Sequence, residues 1–235
     1  RVLVIDNSAT IEDPNAPRLG GGIPDEASGL ASIDFLKIVG NNFTEGLADN
    51  LFANWTSLTS LNLAQNNMPG QIPRSVGQLV FVTGLNLEDN RLTGPLPEEI
   101  SGLTRLLIFS ARKNELSGPL PTAISSLNSL SLLYLDNNNF TGNFPDISKL
   151  AFLRAGLDLS NNRLSGTIPL DAFAKTPNLR VLRLSNNTFS GPLPDLSPLS
   201  ASIKDLYLEG NDFTEGIVPL EACTSIVTRG GEALV

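Results

Sequence analysis

The chain has no histidine, one cysteine, one tryptophan and two tyrosines among 235 residues, and each scarcity closes off a class of function. Histidine changes charge near neutral pH and is the commonest metal ligand. Without it, acid–base or metal chemistry would rest on carboxylates, which argues against an enzyme and against a metal centre. The lone Cys223 cannot make an intrachain disulfide, so this is not a disulfide-stapled scaffold. It is expected as a free buried thiol, with an intermolecular bridge as the alternative. Cations are a minority, 16 Lys and Arg against 24 Asp and Glu, for a net charge of −8. Nucleic acid and anionic membranes call for a basic footprint, so neither is expected as a partner. No apolar run approaches the ~20 residues that span a bilayer. Arg1-Val2-Leu3-Val4-Ile5-Asp6 is too short and wrongly flanked for a secretory leader.

What the chain does have is a repeat. Leu85-Asn86-Leu87-Glu88-Asp89-Asn90-Arg91-Leu92-Thr93-Gly94-Pro95-Leu96-Pro97 recurs, with changes, from about residue 30 to about residue 220. An asparagine returns at Asn41, Asn66, Asn90, Asn114, Asn138, Asn162, Asn187 and Asn211, at spacings of 25, 24, 24, 24, 24, 25 and 24 residues. Before each stand two apolar residues separated by one other, as in Leu61/Leu63, Leu85/Leu87, Phe109/Ala111 and Leu133/Leu135. That alternation is strand spacing. One repeat cannot bury its own leucines, whereas stacked repeats share a continuous core. The asparagine follows the strand where the chain turns inward, and its amide can both donate to and accept from the backbone groups freed there. Gly94 permits a tight bend and Pro97 fixes φ where the chain leaves the second short strand. A stretch such as Glu98 to Leu103 is then expected as a short helical turn on the far side.

The pattern L-x-x-L-x-L-x-x-N-x-L-x-G-x-I/L-P resembles the leucine-rich-repeat family, and the endings Gly70-Gln71-Ile72-Pro73, Gly118-Pro119-Leu120-Pro121 and Gly166-Thr167-Ile168-Pro169 are similar to its plant-type subclass. The resemblance covers roughly residues 19–220. It implies an α/β right-handed solenoid, a horseshoe with a parallel β-sheet on the concave face and short turns or 3-10 segments on the convex face. It also implies a recognition module, since family members include receptor-kinase ectodomains and inhibitors of cell-wall enzymes. Extracellular plant members carry paired cysteines in caps at both ends. This chain does not, which argues against a typical apoplastic protein and leaves an extracellular or organelle-lumen location.

The expected layout is an N-terminal cap with a degenerate half-repeat at 1–32, eight repeats over 33–219, and a C-terminal cap or tail over 220–235. Residues 1–18 show no clear period. Leu19-Gly20-Gly21-Gly22-Ile23-Pro24 is read as the degenerate half-repeat, because it lacks the spacing of a nucleotide-binding glycine loop. Leu220, Ile226 and Val227 are candidates for covering the last core edge. Pro145 to Leu150 and Pro194 to Leu199 are read as tightened convex turns, Phe173 as the inward anchor of the longest convex insert, and Trp55 as core.

Function is expected where the repeats differ, at the outward strand positions of the concave sheet. Leu107, Ile108, Leu132 and Tyr134 are apolar or aromatic where polar residues are the default. Such clusters mark contact sites, and tyrosine and arginine are typical interface anchors. The expected partner-binding set is Leu107, Ile108, Arg112, Lys113, Leu132, Tyr134, Arg183 and Tyr207. Glu88, Asp89, Glu98, Glu99 and Asp136 are read as scattered surface carboxylates, with no metal and no cofactor implied. Sequons stand at Asn42, Asn54, Asn139 and Asn186. The repeat itself generates all but Asn54, so they are weak candidates for glycosylation.

The first functional expectation is a non-catalytic module that binds a protein or peptide through its concave face. The second is a scaffold subunit of a larger assembly, anchored by its termini or convex side, for which an algal organelle-lumen complex would suit an acidic, disulfide-poor chain. Glycan or ice binding would need a flat, regular Thr/Asn array, and the outward positions are irregular.

Overall fold

The computed structural model describes residues 1–7, 18–24, 27 and 29–214, together with the backbone of the strand Ser225–Val227. Its larger sheet holds ten strands in simple sequence order: Val2–Asp6, Phe35–Val39, Ser60–Asn62, Gly84–Asn86, Ile108–Ser110, Leu132–Tyr134, Gly156–Asp158, Val181–Arg183, Asp205–Tyr207 and Ser225–Val227. Neighbours pair in parallel, with Leu61 opposite Leu85, Leu85 opposite Phe109, Phe109 opposite Leu133, and Leu133 opposite Leu157. Parallel neighbours need a long crossover, and each repeat supplies one. On the far side of that crossover a second sheet of seven short strands runs from Pro69–Gly70 to Asp212–Phe213. Gly20–Gly21 pairs with Asn42–Phe43 to make a two-stranded sheet.

The sheet extends beyond the eight recognised repeats. Val2–Asp6, in a stretch read as having no period, lies in register with Phe35–Val39, so that Leu3 and Ile5 take the places of Leu36 and Ile38. Two apolar positions with serine rather than asparagine three residues after the second are too short a pattern to distinguish from a random apolar run. At the other end, Ile226 and Val227 belong to a strand paired with Asp205–Tyr207. Cys223, Leu220, Pro219 and the tail past Arg229 lie outside the described residues.

The expected helical turns are 3-10 segments at Arg74–Gln78, Glu98–Gly102, Thr122–Ser126 and Ser197–Leu199. The first three are preceded by Pro73, Pro97 and Pro121, all in extended conformation. These turns stack so closely that a Cβ on Gly102 would stand 2.2 Å from the carbonyl oxygen of Gly77. In the two tightened turns, Asp146 and Asp195 accept the backbone N–H of Ser148 and Ser197, each at 2.9 Å. The serine side chain first, and its backbone N–H second, hold both carboxyls below the ordinary range.

The strand leucines form one continuous core with Phe109, Phe140, Phe173 and Phe189, all buried. Trp55 is fully buried, stacks at a tilt 5.6 Å from Phe52, and donates its indole N–H to the carbonyl of Ala27 at 2.8 Å. The asparagine ladder is continuous. From Asn90 onward each Oδ1 accepts a backbone N–H from the preceding repeat: Met68 to Asn90, Leu92 to Asn114, Leu116 to Asn138, Phe140 to Asn162, Leu164 to Asn187, and Phe189 to Asn211. Each Nδ2 donates to carbonyls of its own and the preceding repeat, as Asn138 does to Leu135, Asp136 and Ala111. Asn66 accepts from the N–H of Asn41, and Asn41 in turn accepts from the N–H of Leu19.

Candidate functional site

Inward strand positions are spent on the core, so the concave surface is made by the residues between and after them. On the position before the first strand leucine, Ile108 and Leu132 lie side by side on adjacent strands, with Gly84 beyond Ile108 and Gly156 beyond Leu132. Ile108 is 49% exposed and Leu107, just before it, 45%, while Leu132 is half-buried. Gly84 leaves Ile108 clear on its side of the row, whereas Gly156, beside Leu132, is buried. Tyr134 leans toward one of those glycines. A Cβ on Gly156 would lie 3.1 Å from Cε1 and 3.3 Å from Oη of Tyr134.

The next row reads Tyr134, Asp158, Arg183, Tyr207 across four successive strands. The Arg183 guanidinium is 3.4 Å from the buried Asp158 carboxylate and 4.0 Å from that of Asp205, and it sits 5.3 Å from the Tyr207 ring centroid. A cation held over an aromatic face is attracted by the ring quadrupole. Two residues further along each repeat, Arg112 lies between Glu88 at 3.4 Å and Asp136 at 3.8 Å. Lys113 is exposed and has φ 52°. The equivalent residues Gly40, Gln65, Asp89, Asn137, Asn161, Asn186 and Gly210 are also left-handed, so the turn after each strand imposes that conformation.

The eight expected contact residues therefore fall into two groups. Ile108, Leu132 and Tyr134 lie on adjoining strands with Leu107 on the loop just before Ile108, and Arg112 and Lys113 follow the strand Ile108–Ser110. Arg183 and Tyr207 form a second pair, separated from Tyr134 by Asp158. Asp136 corrects an expectation. It is not a surface carboxylate but 5% exposed. Burial pushes its carboxyl above the ordinary 3.8, the Asp158 charge adds to that push, and the Asn137 amide and Arg112 oppose it. The asparagine template says where the chain turns, not what covers the residue two positions earlier. Asp158, Gly84 and Gly156 were not among the expected site residues. Aligning each repeat on its two strand leucines would have placed Asp158 in the row of Tyr134 and Arg183.

Among the described residues no group of three or more His, Cys, Asp or Glu could hold a metal ion, and no helix is long and apolar enough to cross a membrane. The four sequon asparagines differ in setting. Asn54 is exposed on a turn and Asn139 is half-buried within the strand Asn139–Gly142. Asn42 accepts from the Asn67 amide at 2.6 Å, and Asn186 donates to Asn161 at 2.9 Å.

A family model for the Leucine Rich Repeat matches residues 57–79, 81–103 and 129–150, and one for two copies of Leucine Rich repeats matches 156–198. A comparison with curated proteins gives no match. Among solved structures, the chain is similar to PEPR1 in its structure with AtPEP1, at 31% identity and TM-score 0.83 over 90% of this chain and 30% of that one. It is also similar to the ectodomain of the Arabidopsis receptor kinase HAESA in complex with an N-terminally extended IDA peptide hormone, at 36% identity and TM-score 0.80 over 87% of this chain and 34% of that one. A plant ice-binding protein shares the fold at 25% identity and TM-score 0.72 over 92% of this chain and 66% of that one. The chain thus spans about a third of the length of the receptor ectodomains it matches.

Proposed function

Because this chain belongs to the leucine-rich-repeat family, in its plant type, we propose that it is a non-catalytic recognition domain that binds a protein or peptide through its concave face. Leu107, Ile108, Leu132 and Tyr134 form the apolar centre of the contact, and Arg112, Lys113, Arg183 and Tyr207 supply its polar and aromatic periphery. One observation carries this reading: two apolar side chains, Ile108 and Leu132, adjacent on the concave sheet and flanked on both sides by glycine. Burying such a pair against a partner releases ordered water, and contiguous exposed apolar patches mark interaction sites. The receptor structures similar to this chain, captured with AtPEP1 and with an IDA peptide hormone, support the same class of ligand and an extracellular setting.

The ice-binding neighbour prompts a second comparison. Flat ice-binding surfaces call for one small polar residue repeated in register. Here the row runs Lys37, Asn62, Asn86, Ser110, Tyr134, Asp158, Arg183, Tyr207, too varied in size and charge to present a regular array. The test is affinity capture with the wild-type chain and with Leu132→Asp/Tyr134→Asp, followed by quantitative mass spectrometry. Partners retained by the wild type and lost from a variant with unchanged circular dichroism support the concave site. Equal retention overturns it.

A further inference from the structure

The loops that enter the strands carry a third row, which shares Leu107 with the concave centre and continues past it. Its members are defined by backbone bonds: Thr59 accepts from Thr83, Thr83 from Leu107, Leu107 from Ser131, Ser131 from Arg154, Arg154 from Arg180, and Arg180 from Lys204. Read along the solenoid, the row is Thr, Thr, Leu, Ser, Arg, Arg, Lys. Neutral residues fill it through the first half and cations occupy three consecutive repeats after that.

Arg154 owes its place to an insertion. Leu127, Leu130 and Leu133 are spaced by three, whereas Leu150, Leu153 and Leu157 are spaced by three and four. The extra residue makes a small bulge in which the carbonyl of Ser131 accepts from Arg154, Ala155 and Gly156 together. This bulge brings Arg154 into line with Arg180. The three cations border a groove of ≈ 610 Å³, together with Phe152, Asn178 and Ser202. Phe152 is 65% exposed at its edge. Among the described residues the guanidiniums of Arg154 and Arg180 make no ion pair and no side-chain hydrogen bond, whereas Arg112 and Arg183 on the concave face are each matched by two carboxylates.

In a chain of net charge −8, three aligned cations two of which lack counter-charges are a local inversion of sign. Gathering them raises mutual repulsion, which an anion would relieve. Guanidinium presents a planar fork of donors matched to carboxylate, sulfate and phosphate oxygens. We propose that the groove lined by Arg154, Arg180 and Lys204 is an oxyanion-binding site, in which the two guanidiniums grip the oxyanion, Lys204 adds charge, and Asn178 and Ser202 offer further hydrogen bonds. Phe152 provides an apolar shelf for whatever carries the charged group. The site adjoins the patch around Leu132 and Tyr134 at Ser131, whose carbonyl accepts from Arg154, but does not depend on that patch being a contact surface.

The test follows the side-chain Nε–H resonances of Arg154 and Arg180 in the 15N-labelled chain, assigned from Arg154→Gln and Arg180→Gln. Three probes are titrated at low salt: hexaglutamate, hexaglutamine and inorganic sulfate. Saturable shifts with hexaglutamate or sulfate, and none with hexaglutamine, are expected. A response to hexaglutamate alone identifies peptide carboxylates as the source of the oxyanion, and a response to sulfate alone identifies a small inorganic ion. Read from the backbone amide shifts of Phe152, Asn178 and Ser202, the double variant Arg154→Gln/Arg180→Gln should weaken binding about tenfold. Arg91→Gln/Arg163→Gln, which removes the same charge from exposed positions elsewhere, should leave it unchanged. Equal weakening in both double variants, or no response of either guanidinium to any oxyanion, overturns the proposal. Leu132→Asn/Tyr134→Asn, which adds no charge beside Arg154, should leave oxyanion binding intact, and this separates the result from the fate of the concave site.

Discussion

The backbone N–H of Leu92 donates to Oδ1 of Asn114, 22 residues further along the chain, at 2.9 Å. The same asparagine donates from Nδ2 to the carbonyls of Leu87, Ala111 and Arg112. One buried side chain thus satisfies four backbone groups in two successive repeats. Asn114→Ala should destabilise the chain by about 2–3 kcal/mol, because those groups lose their partners without gaining water. Asn114→Asp should cost at least as much, since it removes the donor and buries a charge. Asn162, half-buried rather than buried, should lose less on substitution by alanine. Urea unfolding followed by circular dichroism measures all three, and equal losses at Asn114 and Asn162 would count against burial as the determining factor.

The close approach of Tyr134 to Gly156 gives a way to disturb the concave site without disturbing the fold. Gly156 does not adopt a left-handed φ, and the nearest atoms to an added Cβ, at 3.1 and 3.3 Å, belong to the half-exposed Tyr134 ring. Gly156→Ala should change stability by less than about 1 kcal/mol, because the ring can swing outward. With fluorine-labelled tyrosine the two tyrosines, Tyr134 and Tyr207, give separate signals, of which only that of Tyr134 should shift. Partner affinity should fall with it.

The architecture was legible because the solenoid repeats its inward residues. Leu85, Leu87, Asn90, Leu92, Gly94 and Pro97 do the same work in each turn, so periodicity alone locates the strands, the ladder and the bends. The outward face is not periodic. Each outward residue is surrounded by side chains one repeat away, about 24 positions distant in sequence. The burial of Asp136 between Arg112 and Asp158 therefore could not be read from its own neighbourhood. The alignment of Arg154 with Arg180 depends on a one-residue bulge that shifts the register. Val2–Asp6 is illegible in sequence for a related reason, since a strand can join the sheet through backbone bonds without repeating the motif.

Asp136 carries a pH signature. Its carboxyl is raised above 3.8 by burial first and by the Asp158 charge second, and its Oδ1 is buried without a hydrogen-bond partner. The folded state therefore holds this proton to higher pH than the unfolded state does. By linkage, its contribution to stability falls as pH rises from the unfolded value through the raised folded value. Asp146 and Asp195 have the opposite sign, and their contributions are lost as pH falls through their lowered values. Asp136→Asn should flatten the first of these slopes. The stability difference between variant and wild type should move in favour of the variant as pH rises from about 4 to 7. Urea titrations at several pH values test this, and a constant difference would contradict it.

The stacking of the convex turns sets a steric limit that is easily probed. A Cβ on Gly102 would stand 2.2 Å from the carbonyl oxygen of Gly77, and one on Gly77 would stand 2.3 Å from that of Glu99. Both obstacles are backbone, which cannot rotate aside as a side chain can. The turns of successive repeats must therefore separate or tilt to admit a methyl group, and the buried Val76 and Ile100 beneath them would lose contact with the core. Gly102→Ala should destabilise by about 1–3 kcal/mol. Gly29, where an added Cβ meets nothing within 4 Å, is the matched control. Gly29→Ala should be neutral or stabilise by up to about 1 kcal/mol, through a less flexible unfolded chain. Thermal unfolding of the two variants distinguishes crowding between turns from a general intolerance of alanine, and equal melting temperatures would show that the turns yield without cost.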